Sequence, residues 1–301
     1  MAFGCRWVLT AFCAFGLASC MPEAGEVRSH EGLPRVVSLN PCLDAILVEV
    51  ADPEQILALS HFSASPQSSS IPQDVASQFG VTGGTVEEVL ALEPDLVLAS
   101  TFMAPATGAA FDDLGVRVES FGSPTTVEES IAQVSALAEL IGSKAAGEKL
   151  IAKIVDSVSA HANGTQKSAV LWQPGGIVPG ERQLISELLR AAGFSSHSAK
   201  LGLGQADYLS LEQVVATPPD VLLVSGLSRA QQHPALADAE MLVADFDPAL
   251  LYCGGPTIIR AAERLKEIKS ALRSREGGSL SPQSETQLER GPRLRWDSVA
   301  G

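Results

Sequence analysis

The stretch TVEEVLALEPDLVLAS, residues 85–100, returns at residues 210–225 as SLEQVVATPPDVLLVS. Seven of the sixteen positions are identical, and the two copies lie 125 residues apart. Each copy opens with the S/T-x-x-E/Q pattern of a helix capping box and then carries a proline that ends the helix before a short apolar run. Each copy therefore predicts a helix followed by a buried strand, and the repetition predicts two similar lobes.

Length and composition fit two compact globular units. The chain has 301 residues, of which 46% are hydrophobic and 19% are charged. The formal net charge of −14 argues against nucleic acid or anionic lipid as the main partner, because like charges repel. An acidic protein can still dock onto a basic protein partner.

The N-terminus has the features of an exported lipoprotein. Arg6 precedes an apolar run at residues 7–17, which is too short to span a bilayer as a helix but suits the core of a signal peptide. The sequence LASC at residues 17–20 is similar to a lipobox, so we predict a signal peptide over residues 1–19 and lipidation of Cys20. The mature protein would then sit in the periplasm or on the outer face of a bacterial membrane. A simple cleaved signal, giving a secreted protein, is the alternative.

Strand-like and helix-like segments alternate through most of the chain, which predicts parallel sheets covered by helices on both faces. Residues 126–163 carry an apolar stripe at helical spacing and would reach roughly 55 Å as one helix, with Gly142 and Gly147 as points of bending or interruption. The predicted fold is α/β, with two Rossmann-like lobes joined by a single long backbone helix. The expected segments after the signal peptide are a lipid-anchored tether (20–34), an N-terminal lobe (35–124), the backbone helix (125–163), a C-terminal lobe (164–273) and a flexible tail (274–301).

These motifs resemble the substrate-binding proteins of ABC importers for cobalamin and iron complexes, the class with a helical backbone. The resemblance covers residues 35–272 and rests on the run RVVSLNP, the two repeat copies and the long helix between them. It implies that a corrinoid or an iron–siderophore complex is held between the lobes and delivered to a dimeric ABC permease. We expect a monomer with no resident cofactor.

Glu87 and Glu212 occupy the same place in the two copies of the repeat. Each lies in the first turn of a predicted helix, where a carboxylate gains about 0.3–1 kcal/mol from the helix dipole. That gain accounts for either residue taken alone. The resemblance implies more: one surface glutamate per lobe contacts arginines on the two permease subunits, and Glu87 and Glu212 fall on those positions.

In open α/β sheets, ligands bind beyond the carboxyl ends of the strands. Aromatic residues make up only 5% of the chain, yet several fall at predicted strand ends, and we expect about half of these to touch ligand. His61 has no second metal ligand near it in sequence, so we favour a hydrogen-bonded role for it and predict no metal site. The predicted cleft residues are Asn40, Pro41, Cys42, His61, Phe62, Phe102, Trp172, Tyr252 and Cys253.

Cys42 and Cys253 come from opposite lobes, and both fall at predicted cleft edges. They could form a disulfide, contact a metal in the ligand, or remain two inert thiols. A disulfide needs Cα atoms within about 7 Å and would pin the lobes together. Unpaired thiols are therefore the default expectation.

Few basic residues fall near the predicted cleft, with Arg229 and Arg260 the nearest candidates. This favours a corrinoid or a neutral or cationic siderophore over a strongly anionic complex. The rival function is a tetrapyrrole-handling enzyme of the chelatase type on a similar two-lobed fold, which would need a catalytic histidine with a carboxylate partner. The chain has no G-x-S-x-G, H-E-x-x-H or Walker A motif, so we predict a binding protein and not an enzyme.

Overall fold

The computed structural model describes residue 1, residues 32–159 and residues 166–276. The predicted lipidation site Cys20, nearly all of the signal peptide, and most of the tether and tail lie outside these residues. Within the described part of the chain, none of the helices combines the length and the apolar character needed to cross a membrane.

The N-terminal lobe is built on a five-stranded parallel sheet with the order β3-β2-β1-β4-β5. Its strands are β1 (Val36–Ser38), β2 (Ile56–Ser60), β3 (Val81–Thr82), β4 (Leu96–Ser100) and β5 (Val118–Phe121). Its helices are α1 (Pro41–Val50), α2 (Gln73–Ala76), α3 (Val86–Ala91) and α4 (Pro105–Asp113). The strand order reverses between β1 and β4, which opens a crevice beyond their carboxyl ends.

The segment between the lobes is two helices, α5 (Val127–Leu140) and α6 (Lys144–Val158). The prediction of a single long backbone helix is therefore wrong. Gly142 has a left-handed φ of +77°, and it donates its N–H to Glu139 while Ser143 donates to Ala138 at 2.7 Å. This pair of bonds is a Schellman motif, which ends α5 and lets the chain reverse.

Helices α5 and α6 pack against each other as a hairpin. A Cβ atom on Gly147 would collide with the Cβ of Ala138, so the glycine permits the close approach. Helix α6 also packs against α1 of the N-terminal lobe. The apolar stripe read from the sequence is thus divided between two helices that pack against each other.

The C-terminal lobe has a four-stranded parallel sheet with the order β11-β10-β6-β8 and a small antiparallel pair, β7 with β9. The strands are β6 (Lys167–Trp172), β7 (Ile177–Val178), β8 (Phe194–Ser196), β9 (Asp207–Tyr208), β10 (Val221–Val224) and β11 (Leu242–Asp245). The helices are α7 (Leu184–Ala191), α8 (His197–Lys200), α9 (Leu211–Ala216) and α10 (Thr257–Glu276). Two lobes with parallel sheets are confirmed.

Both repeat copies form the predicted helix and strand. The Thr85 hydroxyl accepts the backbone N–H of Glu88 at 3.2 Å, and the Ser210 hydroxyl accepts that of Gln213 at 3.2 Å. These caps begin α3 and α9. Strands β4 and β10, which follow them, are buried interior strands of their sheets.

A single buried apolar cluster contains residues from both sheets. Leu98 of β4 and Leu171 of β6 belong to it, together with Leu137 of α5, Ile154 of α6 and Leu265 of α10. The three helices thus supply apolar side chains to a core shared by the two lobes. They form the frame on which the carboxyl edges of both sheets are held.

Candidate ligand-binding cleft

Exposed apolar side chains concentrate at the carboxyl ends of the strands. Among the described residues, twelve large hydrophobic side chains are exposed, and six of these follow strand ends or lie in the β7–β9 pair. Apolar side chains grouped at the ends of strands are typical of sites where a ligand or partner binds. The six are Phe62, Phe102, Ile177, Tyr208, Leu227 and Tyr252.

On the N-terminal lobe, Phe62 and His61 lie in a short 3-10 turn directly after β2. Both side chains are exposed, and their ring centroids lie 4.0 Å apart. Phe102 follows β4 and is 83% exposed. All three lie at the edge predicted from the sequence.

On the C-terminal lobe, the exposed residues include three that are not among the predicted cleft residues. Ile177 and Tyr208 face each other across the β7–β9 pair, and Leu227 is 80% exposed just after β10. Gly176 has a φ of +81°, and a Cβ there would meet the Tyr208 ring and the carbonyl of Leu209. The two glycines before Ile177 were the available signal of a close backbone approach.

Trp172 does not line the cleft, and its prediction as a ligand contact is wrong. The indole is only 1% exposed, and its N–H donates a 2.8 Å hydrogen bond to the carbonyl of Leu209. The side chain points into the sheet's helix-covered face, where it belongs to a core with Val178 and Val214. A strand end fixes the position of a residue but not the face it points to.

Cys42 and Cys253 form a disulfide, with their Cα atoms 5.0 Å apart. The default expectation of two unpaired thiols is therefore wrong. Asn40 accepts the N–H of Cys42 through its side chain at 2.8 Å, and Pro41 is the first residue of α1. Asn40 and Pro41 thus begin α1 and place Cys42 within reach of Cys253.

The Cys-Gly-Gly sequence at residues 253–255 fits between α1 and α5. Gly255 has a φ of +57°, and a Cβ there would meet Ile46 of α1 at 2.8 Å. Its N–H donates a 2.7 Å hydrogen bond to the Ser130 hydroxyl of α5. A Cβ on Gly254 would meet the same hydroxyl. This segment, which follows β11 of the C-terminal lobe, is thereby held against helices that pack on the N-terminal lobe.

The Ser-rich loop after Phe62 is tied to the same region. The Ser70 hydroxyl donates a 3.0 Å hydrogen bond to the carbonyl of Ala249, and the Arg260 guanidinium donates to the carbonyl of Ser70. Residues 69–71 of this loop are buried. Burial lowers the pKa of Arg260, and its contact with Ser70 gives it a structural role. Arg229 remains exposed beside Leu227.

Asp44 is a fully buried carboxyl behind this edge. Its Oδ2 accepts the backbone N–H of Ser60 at 2.9 Å and the hydroxyl of Ser63 at 2.6 Å. Its Oδ1 has no hydrogen-bond partner within the described part of the chain. Burial raises the pKa of Asp44 to about 7, against the opposing effect of the nearby Ser38 hydroxyl and of the hydrogen bonds from Ser63 and Ser60.

Glu87 and Glu212 are both exposed in the first turns of α3 and α9. Neighbouring Glu88 is committed to local structure, since it accepts the Thr82 hydroxyl at 2.9 Å and the Gly83 N–H at 2.7 Å, and these bonds lower its pKa. Hydrogen bonds from its own backbone N–H and from Ser210 lower the pKa of Glu212. Glu212 therefore presents a charged carboxylate at neutral pH.

The sequence profile of the periplasmic binding protein family matches residues 36–246, more than half of the chain. The chain belongs to the periplasmic binding protein family. The matched region begins at β1 and ends just after β11, so it includes both sheets and both copies of the repeat.

Relatives of this periplasmic binding protein include cobalamin-binding proteins from two strains of Halobacterium salinarum. Each is 28% identical over 212 residues, which is 68% of this chain and 57% of the relative. The chain thus spans a little over half the length of these relatives.

Solved structures with the same fold include two periplasmic binding proteins. A periplasmic heme-binding protein from Roseiflexus sp. RS-1 in apo form has a TM-score of 0.63 at 22% identity, covering 80% of this chain and 98% of that one. A periplasmic vitamin B12 binding protein of Vibrio cholerae has a TM-score of 0.60 at 20% identity, with 80% and 98% covered.

In this periplasmic binding protein, the predicted cleft residues divide by role. Phe62, Phe102, His61 and Tyr252 are exposed, whereas Cys42 and Cys253 are joined to each other in a disulfide. Within residues 32–159 and 166–276, no three side chains of His, Cys, Asp or Glu are grouped so that they could hold a metal ion.

Proposed function

We propose that this periplasmic binding protein is the extracytoplasmic substrate-binding component of an ABC importer, and that it holds a corrinoid or an iron complex between its lobes. The single observation that carries the proposal is the set of exposed apolar and aromatic side chains at the carboxyl edges of both sheets. A large ring system buries such side chains well, and few charged groups are needed to orient it. The cobalamin-binding and heme-binding relatives support this ligand class.

The test is a binding panel of cyanocobalamin, haemin and a ferric hydroxamate siderophore, measured by calorimetry and by absorbance of the bound ligand. Phe102→Ser should lower the affinity for the ligand about tenfold to a hundredfold, because burial of a phenylalanine side chain contributes about 1.5–3 kcal/mol. Leu114→Ser is the matched control, since Leu114 is exposed at the end of α4 and away from the carboxyl edges. Absence of binding to every ligand in the panel would contradict the proposal, and insertion of metal into a porphyrin would favour a chelatase.

Glu87 and Glu212 are the proposed contacts with the permease. They are exposed, carry the same charge, and start equivalent helices in two similar lobes. A permease made of two equivalent subunits needs one such contact from each lobe. Acidic side chains of this kind mainly speed and orient a transient encounter.

Export and anchoring complete the proposal. The signal peptide and Cys20 would place the mature protein on the outer side of a bacterial membrane, held by lipid at its first residue. Incorporation of labelled palmitate into the wild-type protein, and its loss in Cys20→Ala, is the expected result. A protein that carries no label and is recovered in the soluble fraction would instead support simple secretion.

A further inference from the structure

We propose that Asp44 is a positioning residue of the cleft: its carboxylate fixes the turn that carries His61 and Phe62, and protonation of the carboxylate loosens that turn. The consequence for ligand binding rests on the proposed function of the cleft. The positioning itself rests only on the contacts of Asp44.

The geometry of the turn gives Asp44 this role. Residues 61–64 form a 3-10 turn whose first two residues, His61 and Phe62, are exposed. Asp44 accepts a hydrogen bond from each side of this pair. Ser60 lies immediately before His61 and Ser63 immediately after Phe62, and both donate to Oδ2 of Asp44, at 2.9 and 2.6 Å. One buried oxygen therefore holds both flanks of the two exposed rings.

The chemistry makes the contact dependent on protonation. Hydrogen bonds to an ionised carboxylate are roughly twice as strong as those to a neutral group. Asp44 titrates in the neutral range because its burial opposes the charge, so both forms are populated near pH 7. The turn should be held more tightly as pH rises through this range.

Charged side chains on the helices around Asp44 do not account for a pH dependence of the turn. The nearest contacts of the carboxylate are the hydroxyls and amides of serines. Glu49 on α1 and Asp74 on α2 are exposed, as are all the charged side chains of α5 and α6, and Arg260 is bonded to Ser70. His61 is the titratable group on the turn itself, and the experiment must remove it.

The experiment follows the turn directly and needs no ligand. A His61→Gln, Phe62→Trp protein labelled with 5-fluorotryptophan gains one ¹⁹F resonance at position 62, assigned by comparison with the parent. Recorded from about pH 5.5 to about pH 8.5, this resonance should shift and sharpen with a midpoint near pH 7. Adding Asp44→Asn should abolish the titration, because the amide does not ionise.

Two further variants separate positioning from a general loss of structure. Asp95→Asn is the matched control, since Asp95 accepts a backbone N–H at the opposite edge of the same sheet, from Arg35 at 2.8 Å. It should leave the titration intact. Asp44→Ala should broaden the resonance at every pH. An unchanged titration in Asp44→Asn, or a flat profile with Asp44 present, would overturn the proposal.

The link to binding is measured separately, with cyanocobalamin and haemin as probes. For a probe that binds, Kd should fall severalfold as pH rises from about 6 to about 8, and this change should vanish in Asp44→Asn. A titrating resonance in a protein that binds neither probe nor the ferric hydroxamate siderophore would sink the proposed ligand class while leaving the positioning role intact. A pH-independent Kd beside a titrating resonance would show that the turn moves without affecting the ligand, and would overturn the binding consequence.

Discussion

The Asp220 carboxylate accepts two 2.7 Å hydrogen bonds from Ser168, one from its backbone N–H and one from its hydroxyl. Asp95 holds the same place in the other lobe, where it accepts the backbone N–H of Arg35 at 2.8 Å. Each aspartate fastens the start of one central strand to the start of its neighbour, β10 to β6 and β4 to β1. Part of the repeated sequence is therefore explained by folding, which leaves the exposed glutamates to be explained by function.

Replacing Asp220 with alanine should destabilise the protein by about 1–3 kcal/mol, because two donors of Ser168 lose their acceptor. Asp95→Ala should cost less, since it removes one such bond. Urea unfolding of each variant gives the free energies. Asp156→Ala, an exposed change on α6, is the control, and equal costs for all three variants would refute the strand-fastening role.

Reduction of the Cys42–Cys253 disulfide should lower the free energy of unfolding by about 3–5 kcal/mol, since the bond closes a loop of 211 residues in the unfolded chain. Urea unfolding with and without a phosphine reductant measures the change. The Cys42→Ser, Cys253→Ser protein should match the reduced wild type and ignore the reductant. If reduction left the unfolding midpoint where it was, the covalent link between the lobes would carry no stability.

Glu87→Lys combined with Glu212→Lys should reduce transport about tenfold or more, because both acidic contacts become repulsive toward arginines. Ligand Kd should not change, since neither side chain belongs to the exposed apolar set. Uptake of labelled ligand in cells and calorimetry on purified protein give the two readouts. Glu148→Lys, an exposed change on α6, should transport normally, and weakened ligand binding in the double variant would count against the docking assignment.

Stability should fall as pH rises from about 4 to about 7 through the contribution of Asp44. Its folded pKa of about 7 lies above the value of 3.8 expected in the unfolded chain, so the folded state holds a proton that the unfolded state has lost. The contribution is on the order of 4 kcal/mol, fully present below about pH 4 and gone above about pH 7. Subtracting the urea-unfolding profile of Asp44→Asn cancels the other titrating groups, and a difference that does not vary with pH would refute this assignment.

The two lobes were predictable because the signals for them are local. Thr85 and Ser210 cap their helices, and Pro94 and Pro219 end them, through contacts that span only a few residues. An apolar period likewise reports which face of a helix is buried. The period does not report the direction of the chain. The stripe through Gly142 therefore predicts one helix, whereas the chain forms two helices with a turn at Gly142.

The cleft was less predictable because its features depend on distant parts of the chain. Cys42 and Cys253 are separated by 211 residues, and no local pattern encodes the distance between them. The burial of Trp172 depends on the position of Leu209, which accepts its N–H. The Tyr208 ring lies over Gly176, where a Cβ atom would collide with it. This contact joins two different strands, so the sequence of either strand alone does not predict it.

The path of the chain after β11 makes the packing of each half depend on the other. Residues 253–255 return from the C-terminal lobe to lie beside α1 of the N-terminal lobe and α5 of the connecting segment. Helix α10 then runs back until Lys269 donates to the carbonyl of Ala192 at 2.6 Å. A hybrid made by exchanging one half with a homologue would therefore have to carry α1, α5 and this returning stretch as one inherited unit. The boundary between the two halves is therefore a poor place to join segments from two homologues.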